Sequence, residues 1–189
     1  MEPDYSSVHS DNSLIHNMID RLFMKDISLW PSSESSADIL LGWLDAPERM
    51  LEHYDTFSLS MDALRTGFEN LVVIGQGGST IGARSIINFC NIHRNPSVSF
   101  LDSTHPETIL SLQEKIEIDK TLFVVSSKSG TTIETLNMFQ YFYAFARKHF
   151  SEMDVGNRFV AITDPGSPLE NIAVELSFRG VIKGYADVG

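Results

Sequence analysis

From residue 70 onward the sequence alternates short apolar runs with segments of helical length, and that rhythm limits the possible folds more than any other feature. Leu71-Val72-Val73-Ile74, Val98-Ser99-Phe100-Leu101, Leu122-Phe123-Val124-Val125 and Phe159-Val160-Ala161-Ile162 are short and rich in β-branched or aromatic residues. Runs of this kind suit strands of a parallel sheet covered on both faces, whereas a strand with one wet face would alternate apolar with polar. Helices are expected over 81–91, 106–115 and 133–150, each long enough to be a βαβ crossover. In the last of these, Leu136, Phe139, Tyr143, Ala146 and Phe150 form a packing stripe. A short helix over 168–176 should precede a fifth strand that includes Val181-Ile182. The pattern predicts an α/β domain, doubly wound, with about five parallel strands and right-handed crossovers.

Residues 1–69 read as a helical N-terminal segment, with the α/β domain covering 70–189. Leu14, Ile15, Met18, Ile19, Leu22 and Phe23 recur at helical spacing after Asp11 and Ser13, which can cap a helix start. Trp30-Pro31 ends that unit, and Ser32 to Ser36 form a small polar loop. Ile39, Leu40, Trp43 and Leu44 suggest a second amphipathic piece, and Met50, Leu51, Tyr54, Met61, Leu64 and Phe68 suggest further helix.

The chain has 189 residues, 42% hydrophobic and 21% charged. A chain of this length buries roughly 70% of the surface its unfolded form exposes, so it needs neither disulfide nor structural metal. With 14 Lys plus Arg against 25 Asp plus Glu, the net charge of -11 opposes binding to nucleic acid and anionic membranes. An anionic ligand would need a local site. The acidic start Met1-Glu2-Pro3-Asp4 and the lack of roughly 18 consecutive apolar residues lead to the expectation of a cytoplasmic protein. Cys90 is the only cysteine; it closes an apolar helix face and reads as core. His9, His16, His53, His93 and His149 have no ligand-like spacing, and His105 lacks a partner, so no metal is expected.

Ligands of doubly wound sheets bind beyond the carboxyl ends of the strands, where the winding reverses, which singles out the loops after the first and third strands. The first reads Gly75-Gln76-Gly77-Gly78-Ser79-Thr80-Ile81-Gly82 and the second Ser126-Ser127-Lys128-Ser129-Gly130-Thr131-Thr132. Glycines allow positive φ and close backbone approach, and the start of the following helix offers unpaired N–H groups with partial positive charge. The second loop adds hydroxyls at Ser127, Ser129, Thr131 and Thr132 and one cation, Lys128. Thr131-x-x-Glu134 fits a capping box. Taken singly, the glycine loop could be tight packing and the Ser/Thr loop simple N-capping, with Glu134 a capping residue or an accessory site residue. With strand order 2-1-3-4-5 the two loops would meet in one crevice, which suits a phosphate monoester.

Other nucleotide readings fit less well. Gly75-x-Gly77-x-x-Thr80 approaches a dinucleotide fingerprint, with Asp102 where a ribose-binding acid would stand, but the third glycine is missing. A Walker A loop requires a lysine that does not follow Gly78. No cofactor is expected.

Gly75-Gln76-Gly77-Gly78-Ser79 and Ser127-Lys128-Ser129-Gly130-Thr131-Thr132-Ile133-Glu134-Thr135 resemble the paired loops of the glucose-6-phosphate isomerase family. Both belong to its first sugar-isomerase (SIS) domain, a flavodoxin-like three-layer αβα fold with a five-stranded parallel sheet. Phe159 to Asp164 and the terminal Asp187-Val188-Gly189 are similar to later parts of that domain. Lys25-Asp26-x-x-Leu29-Trp30 and Leu41-Gly42-Trp43-Leu44 resemble the isomerase half of bacterial transaldolase/glucose-6-phosphate isomerase fusions. The resemblance implies phosphate binding at Gly78, Ser79, Ser127, Lys128, Ser129, Gly130, Thr131 and Thr132. Ser129 keeps the hydroxyl of a position that is often Thr; Gly130 replaces an aromatic of the animal-type enzymes, and Gln76 a usually apolar residue.

In that family, aldose–ketose isomerisation opens the sugar ring and moves a proton between C1 and C2 through a cis-enediol. The glutamate base, ring-opening histidine, arginine and lysine that do this lie downstream of the motif beginning Asp187-Val188-Gly189. The resemblance therefore implies no catalytic residue in this chain, but a phosphosugar-binding SIS domain whose ligand is a sugar phosphate and whose intramolecular partner is a second SIS domain. Family members are commonly homodimers in glycolysis and gluconeogenesis. The alternative is a non-enzymatic SIS-type sensor of sugar phosphates.

Overall fold

A computed structural model describes residues 12–30, 40–90 and 96–188. Asp11, Ser32 to Ser36, Ile39, His9, His93 and Gly189, on which some expectations fell, lie outside those residues. The chain divides into two compact units, one drawn from residues 1–53 and 185–189, the other Tyr54–Gly184.

In the first unit, helix α1 is Asn12–Phe23 and α2 is Ala46–Glu52. Ser13 lies inside α1, so it does not stand before the helix as a cap. Among the described residues, the expected second amphipathic piece is a 3₁₀ turn, Gly42–Leu44, followed at once by the Pro47-containing start of α2. Asp26 caps another 3₁₀ turn, Ile27–Leu29, accepting from the Ser28 amide at 2.9 Å and hydroxyl at 2.7 Å and from Arg21 Nε at 2.7 Å. These bonds, the Ser28 hydroxyl foremost, lower its pKa to about 2. Two segments that carried the family resemblance meet here. Leu41 and Val188 form an antiparallel bridge, and the Gly42 amide donates to the Asp187 carbonyl at 2.7 Å. Arg49 pairs with the Asp187 carboxylate at 2.7 Å, and a Cβ on Gly42 would overlap that carboxylate.

The second unit is built on one parallel sheet of five strands, β1 (Asn70–Gly75), β2 (Ser97–Leu101), β3 (Thr121–Ser126), β4 (Phe159–Thr163) and β5 (Gly180–Lys183), in the order β2-β1-β3-β4-β5. Its helices are α3 (Tyr54–Arg65), α4 (Gly78–Phe89), α5 (Pro106–Lys115), α6 (Ile133–Ala146), α7 (Glu152–Val155) and α8 (Pro168–Glu175). The chain steps one way from β1 to β2 and the other way thereafter. Right-handed crossovers therefore put α4 on one face and α5, α6 and α8 on the other.

Packing agrees with that division. Met138, Phe139 and Phe142 of α6 and Leu169 and Ala173 of α8 join Val72, Ile74, Phe123, Val125, Phe159 and Ala161 of the strands in one core, against which Ile109 and Leu112 of α5 rest. Phe159 stacks on Phe123 with centroids 5.0 Å apart and meets Phe139 edge-on at 5.6 Å, geometries aromatic rings prefer. On the other face, Gly180 points away from the core that Val181 joins and lies against Leu64 of α3. Only Thr80 of α4 is buried; Ile81, Ile86 and Phe89 are exposed. Cys90, expected in the core, is exposed just past the end of α4, because its helix face has little to pack against.

Candidate functional site

The two loops singled out by sequence leave adjacent strands side by side. Gly75 and Ser126, the last residues of β1 and β3, are Cα partners in the parallel register. This is the carboxyl edge of the sheet at the point where strand order reverses.

In the first loop the three glycines of the turn each have their own reason. A Cβ on Gly75 would lie 2.9 Å from the Ser126 carbonyl oxygen, so only glycine lets the strands' ends approach this closely. Gly77, the N-cap of α4, has φ 56° and ψ −126°, a conformation that a side chain would disfavour. Gly78 opens α4 with nothing within 4 Å of where a Cβ would stand, so its backbone is approachable. Its amide belongs to the helix start, where no intrahelical acceptor exists. The next amides are partly engaged, Ser79 N–H with the Gln76 carbonyl at 3.2 Å and Thr80 N–H with the Gly77 carbonyl at 3.1 Å. The Ser79 side chain has no hydrogen bond among the described residues. Gln76 spans to the Asp102 carbonyl at 3.0 Å, while the Asp102 carboxylate is held by Arg84 at 2.8 Å. The acid that a dinucleotide ribose would need is thus already paired.

The second loop is folded by its own hydroxyls. Ser127 is buried; its amide donates to the Ile162 carbonyl at 3.0 Å and its hydroxyl to the Thr132 hydroxyl at 3.1 Å. The Ser129 and Thr131 hydroxyls stand 2.8 Å apart, and the Thr131 amide donates to Ser129 Oγ at 3.3 Å. The expected capping box does not form. The N-cap of α6 is Thr132, not Thr131, and no side chain caps the helix. Both candidate hydroxyls are occupied with their serine neighbours, and Glu134 is exposed in the first turn with no hydrogen bond among the described residues. The α6 start therefore keeps its amides for another acceptor.

Gly130 has φ 68°, and a Cβ there would fall 2.7 Å from the Leu169 amide nitrogen and 2.9 Å from Ser167 Oγ. The missing aromatic is thus explained by the close passage of the α8 start. That start is fixed in turn: Ser167 accepts from the Glu170 amide at 3.1 Å and shares a hydrogen bond with Thr163 at 2.7 Å. Hydrogen bonds from Lys183 and then from the Gly166 amide hold the Glu170 carboxyl below its usual range.

Lys128 is not free. Its ammonium lies 2.9 Å from Asp164, and its carbonyl accepts from the Asp164 amide at 3.0 Å and the Thr163 hydroxyl at 3.2 Å. Asp164 belongs to a segment that carries the family resemblance, yet sequence reasoning did not place it beside the site. The signal that could have found it is its position just past β4, the strand next to β3. His105 is exposed at the α5 start, with no side-chain cap bond. Among the described residues no group of three or more His, Cys, Asp or Glu side chains could hold a metal, and no helix is long and apolar enough to cross a membrane.

Of the eight residues that the resemblance singles out, seven carry a hydroxyl, an amide or an ammonium on two loops that start from paired strand ends. The eighth, Gly130, turns toward α8 and shapes the loop.

Comparison with known proteins gives this arrangement a lineage. The phosphoglucose isomerase family model matches residues 51–177. A glucose-6-phosphate isomerase of Streptococcus pneumoniae is 32% identical over 161 residues, covering 79% of this chain and 36% of that protein. A probable glucose-6-phosphate isomerase of Methanococcus maripaludis is 32% identical over 136 residues, covering 69% of the chain and 30% of its own length. The crystal structure of a hypothetical protein from Thermus thermophilus superposes with TM-score 0.75 at 30% identity, over 94% of this chain and 40% of that one. A glucose-6-phosphate isomerase from Chlamydia trachomatis superposes with TM-score 0.61 at 25% identity, over 89% and 30%. The chain spans about a third of the length of the curated relatives it matches. It belongs to the phosphoglucose isomerase family.

Proposed function

We propose that residues 70–189 form the phosphosugar-binding SIS domain of a glucose-6-phosphate isomerase, behind a helical segment over 1–69. The phosphate of glucose 6-phosphate or fructose 6-phosphate is held between the two loops. The observation that carries this reading is the register pairing of Gly75 with Ser126, which starts a glycine turn and a hydroxyl-rich turn side by side. Gly78 and Ser79 offer amide and hydroxyl from one side; from the other, Ser127, Ser129, Thr131 and Thr132 offer hydroxyls that a phosphate would draw out of their mutual pairs, over a helix start that no side chain caps. Such donors hold a monoester phosphate through hydrogen bonds and helix dipole, with Lys128 as the one cation of the loops. An acidic chain can therefore bind an anion locally.

Turnover would draw on groups outside the two loops. General acid–base catalysis needs a titratable group within hydrogen-bond reach of the transferred proton. On the second loop and the first turn of α6 these groups are Lys128, engaged by Asp164, and the exposed Glu134. The base, histidine, arginine and lysine of the isomerase would come from a second SIS domain and the region after it.

A thermal-shift titration tests the reading. At a hundredfold excess over the dissociation constant, fructose 6-phosphate adds about 2.7 kcal/mol of stability, roughly 5–10 °C in Tm for a domain of this size. Ser127→Ala with Thr132→Ala removes most of that shift. Stabilisation by NAD in place of the sugar phosphate would sink the proposal, and robust turnover by the 189 residues in a coupled assay would overturn the division of labour.

A further inference from the structure

At the opposite edge of the sheet, where β1, β4 and β5 begin, lies a cavity of about 440 Å³ lined by Gly67, Phe68, Phe150, Asp154, Arg158 and Arg179 among others. Its two guanidiniums share one ring: Arg158 lies 5.4 Å and Arg179 5.1 Å from the Phe68 centroid, and Arg158 lies 4.2 Å from that of Phe150. Both are half-buried. Their hydrogen bonds go to backbone carbonyls only, Arg158 Nη1 to Asp119 at 2.6 Å, and Arg179 Nη2 to Ala63 at 3.2 Å and Thr66 at 3.0 Å.

Those bonds use one nitrogen of each guanidinium, and a guanidinium carries five N–H donors in a fork that fits phosphate oxygens. Among the described residues neither arginine has a carboxylate within ion-pair distance, although the chain carries a net charge of -11. In so acidic a molecule, two neighbouring unpaired cations beside a cavity form a local field opposite to that of the whole. Gly67, at φ 92° with open space where a Cβ would stand, leaves the wall beside them free of a side chain. Asp154, held by the Ser151 hydroxyl at 2.5 Å, is the opposing charge of the lining.

We propose that this cavity is a second anion site, separate from the two loops, for a small polyphosphorylated molecule with one anionic group on Arg158 and another on Arg179. The site does not depend on the phosphosugar reading. Isothermal titration of the 189-residue chain with inorganic pyrophosphate at fixed ionic strength tests it. Saturable binding is expected, weakened at least tenfold in Arg158→Gln and in Arg179→Gln, and unchanged when Ser127 and Thr132 are both replaced by alanine. Asp154→Asn, which removes only the opposing charge, should tighten binding several-fold, so the test stands even where an arginine variant fails to fold. Absence of saturable pyrophosphate binding overturns the proposal, and so does binding that ignores Arg158, Arg179 and Asp154 but is lost with Ser127 and Thr132. Fructose 6-phosphate titrated into the same variants separates this outcome from failure of the loop site.

Discussion

Replacing Gly130 by alanine tests how the second loop is held. The residue has φ 68°, where an L side chain costs about 1–2 kcal/mol. The new methyl would also fall 2.7 Å from the backbone nitrogen of Leu169 and 2.9 Å from Ser167. Backbone cannot rotate away as a flexible side chain would, so relief requires a shift of the loop or of the α8 start; overpacking of this kind costs about 1–3 kcal/mol. The total of about 2–5 kcal/mol corresponds to a Tm lower by roughly 4–20 °C. If the loop relieves the clash by withdrawing, the loss falls instead on fructose 6-phosphate affinity. Gly78→Ala is the control, since its Cβ enters open space without left-handed backbone. It should keep or raise Tm while weakening sugar-phosphate binding, because the methyl fills the proposed approach. Differential scanning fluorimetry and titration calorimetry read both quantities. A Gly130→Ala protein with wild-type Tm and wild-type affinity would show that the loop is not held by its contact with the α8 start.

Four further outcomes follow from particular contacts. Phe142→Ala, at a fully buried ring touching Phe123, should cost about 3–5 kcal/mol by urea unfolding. Thr135→Val keeps the shape of a buried side chain whose hydroxyl has no partner, and should raise stability by about 1 kcal/mol in the same assay. Asp164→Asn releases Lys128 from its ion pair and should tighten sugar-phosphate binding by up to about fivefold at low salt, an effect that added salt erases. The Glu170 carboxyl titrates below its unfolded value, so its contribution is fully present above that value and is lost as pH falls through the acid range. Protection of the β4–α8 turn amides, measured as exchange relative to the intrinsic rate at each pH, should therefore fall on acidification in wild type, and already be low at neutral pH in Glu170→Gln.

Strands β1, β3 and β4 were legible because a parallel sheet covered on both faces demands unbroken apolar runs. Strand β2, at the sheet edge, instead alternates exposed Ser97 and Ser99 with half-buried Val98 and Phe100, so it is not covered on both faces, yet each predicted run lies within an observed strand. Helix α5 was legible to the residue because Pro106 pre-sets its first turn. Boundaries failed where glycine or competing hydroxyls were involved. Helix α4 starts at Gly78, ahead of the first periodic apolar residue, because the glycine turn is itself the helix start. Helix α6 ends at Ala146, not 150. Periodicity marks an apolar stripe but not whether anything covers it, which is why Cys90 was misplaced. The capping box was lost to the serine–threonine pairs at Ser127 and Ser129, bonds with no periodic signature. Lys128 and Asp164 are 36 residues apart and meet through the adjacency of β3 and β4, so that pair needed the strand order.

Everything proposed for the loops depends on their gripping one sugar phosphate together. Isothermal titration of the 189-residue chain with fructose 6-phosphate, alongside the variant carrying Ser127→Ala and Thr132→Ala, measures that grip. One saturable site is expected in the wild-type chain, and a dissociation constant at least tenfold higher in the variant, with Tm lowered by no more than a few degrees. No saturable binding by the wild-type chain, or equal affinity in the two proteins, would mean that the paired loops do not hold the phosphate.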